Sequence, residues 1–225
     1  MFIDPLKAPG FKRSIFNAIV APRPIGWISS VSPDGRANLA PFSQFNLVST
    51  APPVVMFACN TPEDRDEKDT ITNVRATGEF VVNLVSWALR EAMNSTSMPL
   101  PHGGDEFDYA SVEKAACVMV APPRVAASPA NLECRVIHLL RIEPEFPGET
   151  ASTVVFGRVV GLHIQDDYLD AEGRFDTVKA QPATRLGGLQ YATLGTVVGA
   201  LPGVPAANSG AVDVPVEACR TGLFG

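Results

Sequence analysis

The sequence has no run of apolar residues approaching the length of a membrane-spanning helix. It has three histidines, His102, His138 and His163, and no HExxH arrangement, so a histidine-rich metal centre is not expected. Its four cysteines, Cys59, Cys117, Cys134 and Cys219, are scattered without CxxC spacing. That spacing excludes a zinc ribbon or dithiol motif and reads as reduced core cysteines. There is no GxxxxGK[ST] phosphate loop, no GxGxxG after a strand and no GxSxG elbow. Positive charge is scarce: 18 Lys and Arg against 24 Asp and Glu give a net charge of −6. A basic stripe for nucleic acid is therefore not expected. Met1 to Arg13 mixes charges with prolines and lacks the apolar core of a secretory signal, so the expectation is a soluble cytoplasmic protein without a membrane partner.

What is present is a globular composition, 46% hydrophobic and 19% charged over 225 residues, enough for a core that needs no disulfide or metal. The 18 glycines and 20 prolines punctuate the chain as many strands and turns rather than a helical bundle. Strands are predicted at Asn17–Val20, Pro24–Val31, Val54–Cys59, Phe80–Val85, Ala116–Val120, Asn131–Ile142 and Thr153–Ile164. Pro33-Asp34-Gly35 reads as a hairpin turn. In 131–142, Leu132, Cys134, Val136, His138, Leu140 and Ile142 alternate onto one face. Gly157 and Gly161 fall on one face of the following strand, which suggests close approach of backbone or ligand. Asp69 is a candidate cap for a helix through Thr77 stopped by Gly78, and Ser86 for a second helix to about Thr96. Helices are too few for a parallel α/β sheet. The fold class is mainly β, a barrel or sandwich, with residues 1–194 as one domain and 195–225 as an irregular tail.

The densest cluster of candidate binding residues runs from Arg23 to Thr70. Trp27 and Phe45 offer apolar wall, and Ser43, Gln44, Asn46 and Asn60 offer polar edge contacts of the kind a flat, amphipathic ring requires. Lys68 and Thr70 stand at a predicted helix start, where free N–H groups and the helix dipole favour an anion. Taken singly, Trp27 and Phe45 fit a packed core as well, and Lys68 belongs to the charged run Glu63–Asp69, which reads equally as solvated surface.

At these residues the sequence resembles the flavin reductase-like domain proteins, whose fold is the FMN-binding split barrel. The matching string is PRPIGWISSVSPDGRANLAPFSQFNLVSTAPPVVMFACN, followed by KDTITNVRATGEFVVNLV, GGDEFDYASV, RVAASPANLECRV, VVFGRVVGLHI and RLGGLQY. The resemblance implies a six-stranded antiparallel barrel of Greek-key character with helices around it, and a homodimer. It further implies FMN, with FAD as the alternative flavin, in a groove near the subunit interface. Trp27, Ile28 and Ser29 would line the ring. Ser43, Gln44, Phe45 and Asn46 would contact its edge and the ribityl chain. Cys59 and Asn60 would lie near ring or chain, and Lys68 and Thr70 would take the phosphate. No dedicated catalytic acid or base is implied. Two activities fit: an enzyme that passes hydride from NADH or NADPH to flavin N5 and serves an oxygenase or other acceptor, or a flavoredoxin-like carrier with tightly held FMN and protein redox partners. Arg185 and Tyr191 in the late motif could reach an anion or anchor a packed turn, and His102 could reach a nicotinamide or stay solvated.

Overall fold

A computed structural model of the chain describes residues 2–4, 13–62, 66–101, 103–146 and 148–197. His102 and Cys219 lie outside these residues, as does the expected tail beyond 197. Among the described residues no helix is long and apolar enough to cross a membrane.

Seven strands make one antiparallel sheet: β1 Gly26–Val31, β2 Ala37–Phe42, β3 Phe45–Thr50, β4 Pro53–Asn60, β5 Glu79–Leu84, β6 Ala130–Ile142 and β7 Ser152–Ile164. Their order across the sheet is β2-β1-β5-β6-β7-β4-β3. This is one strand more than the resemblance implies. Residues 37–42 and 45–50, between two predicted strands and not themselves expected as strands, form the two edge strands. Ser43 and Gln44 carry the chain from one edge directly to the other, so the sheet must curl until its edges meet. They meet without pairing as a ladder. Phe42 on one edge strand packs 5.0 Å, centroid to centroid, from Phe57 on β4, and Phe57 packs 5.2 Å from Phe80 on β5. These three rings run through the barrel interior with Ile28, Val55, Val82, Cys134 and Val155. At the seam, the Phe45 ring fills the space a β-carbon on Gly26 would occupy, 2.8 Å away. Split closure of this kind leaves the β2 edge available to other groups.

A second core lies outside β1 and β2. Odd-numbered side chains of the same strands, Trp27 and Leu39, point away from the barrel and pack with Met93, Phe107 and Val125. The covering elements are α3 Arg90–Ser95 and α4 Glu106–Tyr109; α1 is Arg13–Ile19 and α2 is Asp69–Thr77. Helix α2 sends Ile71 and Val74 into the barrel core and ends on Gly78, whose φ of 73° is the left-handed cap conformation.

Several local expectations change. Asn17–Ile19 belong to helix α1 rather than to a strand, and Val20 lies just past its end: four apolar-rich residues carry no decisive period. The carbonyls of Asn17 and Val20 accept from the Arg23 guanidinium, which caps that helix end. Ala116–Val120 is not a strand, because its amides turn toward a side chain, as described below. The period of two in β6 does not run its full length. The pairing of β6 with β7 slips between Phe156 and Gly157, where Ile137 is skipped, so Leu139 rather than His138 joins the barrel core. A second slip, between Val159 and Gly161, separates the two glycines. A β-carbon at 157 would meet the Phe80 ring at 2.3 Å, whereas one at 161 would meet Glu133 at 3.3 Å.

Candidate functional site

The β2 edge strand, the start of α2, residues 96–100 and Glu106 enclose a groove of about 180 Å³. Asn38, Ala40 and Pro41 of β2, Met98 and Leu100, and Lys68 and Thr70 at the start of α2 line it. The start of α2 is chemically open. Its cap position is Lys68, not Asp69 as expected, and Lys68 makes no side-chain cap bond. The Ile71 amide donates to the Lys68 carbonyl at 2.9 Å, and the exposed Lys68 ammonium adds its charge to the positive end of the helix dipole. The Lys68 ammonium lies 5.8 Å from the Phe42 ring centroid.

Behind this end is a buried polar network. Thr70 Oγ1 donates to Asn38 Oδ1 at 2.7 Å, and Ser30 Oγ lies 3.3 Å from the same oxygen. Asn38 Nδ2 donates to Glu106 Oε2 at 2.8 Å, and the Leu39 amide donates to that oxygen at 3.0 Å. Asn73 Nδ2 donates to Ser30 Oγ at 3.1 Å. Burial pushes the Glu106 carboxyl above the ordinary range and the nearby Asp69 adds to this, against the pull of the Leu39 and Asn38 donors.

The expected site residues divide into four groups. Lys68 and Thr70 face the groove. Ser43, Gln44, Phe45 and Asn46 continue from its β2 wall through the seam. Gln44 and Asn46 are exposed, the Gln44 carbonyl accepts from the Ala58 amide at 2.8 Å, and Asn46 Oδ1 accepts from Leu47 N at 2.9 Å. Cys59 and Asn60 end β4 nearby; Asn60 is exposed, while Cys59 is buried and burial raises its thiol to about 11, with Lys68 pulling it down. Trp27, Ile28 and Ser29 are different: all three are fully enclosed. Trp27 Nε1 donates to Thr96 Oγ1 at 2.9 Å, and Ser29 Oγ donates to the Pro123 carbonyl at 2.6 Å. Strand β1 has a neighbour on each side and a core on each face, so these side chains are withheld from the groove. Asn38 and Glu106 were not singled out. Both lie in strings that carry the resemblance, but nothing in their spacing brings residue 106 to residue 38.

A second cluster gathers Cys117, Glu133 and His163, with their potential ligand atoms within 4.8 Å of one another. Glu133 Oε1 accepts from the Val118 amide at 2.9 Å and meets His163 Nε2 at 2.5 Å. Oε2 accepts from the amides of Met119 at 2.5 Å and Val120 at 3.0 Å. A carboxylate has about four acceptor positions, and these four donors take them. The cluster is therefore a clamp holding residues 117–120 to β6, with the Cys117 thiol raised by burial to about 11.

Comparison with known proteins follows this geometry. The family model described as Flavin reductase like domain matches residues 20–179. An uncharacterised protein of Aquifex aeolicus is 37% identical over 173 residues, covering 77% of this chain and 85% of that one. Among solved structures, nitrilotriacetate monooxygenase component B from Bacillus cereus superposes with a TM-score of 0.82 at 26% identity, covering 89% of this chain and 98% of that one. The 2-nitrobenzoate 2-nitroreductase NbaA of Pseudomonas fluorescens superposes with a TM-score of 0.77 at 25% identity, covering 92% of this chain and all of that one.

Proposed function

The chain belongs to the flavin reductase-like domain family, and from that membership we propose that it binds FMN along the groove and works as an NAD(P)H-dependent flavin oxidoreductase. The observation that carries this reading is the start of α2, where the cap position is Lys68, an exposed cation that makes no side-chain cap bond and lines the groove with Thr70. A phosphate monoester matches the Lys68 ammonium in charge and accepts hydrogen bonds from it. Lys68 neutralises it, and Thr70 lies beside it. From there the β2 wall leads past Ala40 and Pro41 to the seam, where Ser43, Gln44 and Asn46 supply polar edges for a ribityl chain and a heterocycle, and Phe45 supplies apolar contact.

FMN, when bound, supplies the redox chemistry, accepting hydride at N5 from C4 of a nicotinamide. The protein orients the two rings and limits water between them. No general acid or base is needed for that transfer. FAD would require the groove to continue beyond the phosphate end. Exposed Leu47 and Val48 on the β3 edge, with Ile137, Leu140 and Leu162 on β6 and β7, are apolar surface that a second copy of the chain would cover in a homodimer. The reduced flavin would then serve an oxygenase or another acceptor.

An anaerobic absorption spectrum before and after NADH and NADPH tests the activity. Rapid bleaching of a flavin band supports the reductase. A flavin band that neither nucleotide bleaches points to the electron carrier with protein partners, and a colourless protein that binds no added flavin overturns the reading. Lys68→Ala tests the phosphate end: FMN should weaken about tenfold or more, the worth of a charge-assisted bond, with riboflavin affected at most about twofold. Equal losses for both ligands would remove Lys68 from the site.

A further inference from the structure

We propose that Glu106 takes up a proton when a phosphate enters the groove, and that Asn38 and Thr70 transmit this change, making FMN binding proton-coupled. The inference rests on the flavin reading above and adds a residue and a coupling that reading does not contain.

The argument begins with hydrogen-bond polarity. An ionised carboxylate can only accept. With Glu106 ionised, Asn38 must turn its NH2 toward it, which leaves the Asn38 carbonyl facing Thr70. Thr70 has one hydroxyl proton and spends it on that carbonyl. The Thr70 oxygen then shows the groove only lone pairs, the wrong sense for a phosphate oxygen. In this state the chain of bonds runs inward, from Thr70 through Asn38 to Glu106.

A proton on Glu106 reverses the sequence. Its O–H donates to the Asn38 carbonyl, now turned inward, while the same oxygen still accepts from the Leu39 amide. The Asn38 NH2 turns toward Thr70 Oγ1 and Ser30 Oγ, both of which can accept. The Thr70 hydroxyl is released to donate to the phosphate. One proton is gained from solvent and forms the Glu106 O–H bond; no other covalent bond forms or breaks.

The surrounding charges favour that uptake. Asp69 on α2 stands near Glu106, its own Oδ2 accepting from the Gly103 amide at 3.1 Å. Asp105 and Asp108 flank Glu106 in sequence and share the Lys114 ammonium at 2.6 and 3.1 Å. Arg36, on the turn after β1, pairs with Asp34 at 2.9 Å. Lys68 is the cation that faces the groove from α2. A phosphate dianion therefore arrives beside two carboxylates, and the buried one, 8% exposed, is the one that burial already makes easier to protonate.

Calorimetric titration in buffers of differing ionisation enthalpy tests the coupling, with FMN and riboflavin compared on wild type, Glu106→Gln and Thr70→Val. For wild type, proton uptake approaching about one per FMN is expected in a window bounded by the free and bound values of Glu106, with none for riboflavin. Within that window the FMN dissociation constant rises by up to about tenfold per pH unit, as one-proton linkage requires. Phosphate's own titration near pH 6 is common to all three proteins, so the wild-type to Glu106→Gln ratio isolates the carboxyl. Glu106→Gln and Thr70→Val should each remove the coupled uptake while riboflavin still binds. Riboflavin binding also reports that each variant is folded, and Thr70→Val decides the matter if Glu106→Gln does not fold. Flavin binding with no difference between FMN and riboflavin in proton uptake overturns this proposal alone. Absence of any flavin binding overturns the reading beneath it.

Discussion

Glu106 and Glu133 are both nearly removed from solvent, one behind the groove and the other under residues 117–120. Their environments act in opposite directions. Glu106 is met by the Asn38 amide group, the Leu39 N–H and its own backbone N–H, and burial prevails over them, so its carboxyl is raised. Glu133 receives three backbone amides and the His163 imidazole; burial pushes it up, but these donors together hold it below the ordinary carboxylate range. The contrast teaches that burial alone does not decide a carboxyl's charge; the donors aimed at it are weighed against burial. A saturated carboxylate is a fastening. An undersupplied one beside a groove can change its protonation state when a ligand arrives.

The comparison can be broken most decisively at Glu133. Glu133→Ala leaves three amides and an imidazole facing an interior without an acceptor. Loss of about 3–5 kcal/mol in urea unfolding is expected, and a loss below about 1 kcal/mol would show that the clamp is not structural. The second test is the acid limb. Because the folded Glu133 value is depressed, its stabilisation is present above the unfolded carboxylate value near 4.3 and is lost as pH falls through the folded value. Unfolding curves for Glu133→Gln should start lower at neutral pH, by about 1–3 kcal/mol, and converge on wild type in acid. Parallel curves would mean that charge is not what the donors serve. The smallest effect is expected at Glu106→Gln. A raised folded value means that its contribution is complete below the unfolded carboxylate value and is lost as pH rises through the folded value. At pH 7 to 8 the amide should therefore leave stability within about 1 kcal/mol of wild type, or raise it. A large destabilisation there would place Glu106 with Glu133 as a fastening.

These acids also mark where the sequence could be read and where it could not. The two long strands ending at Ile142 and Ile164, the turn at Gly35 and the helix stopped by Gly78 follow from local patterns, and the structure has them within a residue or two. Lys68 and Thr70 were legible because a helix start is a local signal. The barrel's closure was not. Pro41, Ser43 and Gln44 interrupt the apolar alternation of residues 37–50, which hid both edge strands. The faces of β6 beyond Ile137 depend on a slip against β7 that only the partner strand reveals. Trp27 looked like ligand wall because an aromatic beside polar residues suits a ring site as well as a core. Only the Thr96 hydroxyl, 69 positions away, identifies it as core. Glu133 fell among polar-face residues of a strand, and no pattern foretold that the amides of 118–120 would be turned toward it.

The meeting of Gly26 and Phe45 binds the history of two positions. A side chain at 26 would stand 2.8 Å from the ring at 45, so any residue larger than glycine there must be answered by a smaller one across the seam. A smaller residue at 45 would in turn open a gap that a new side chain at 26 could fill. Variation at either position is thus constrained by the other, although nineteen residues separate them in the chain, and a mutational path through this barrel has to change them as a pair.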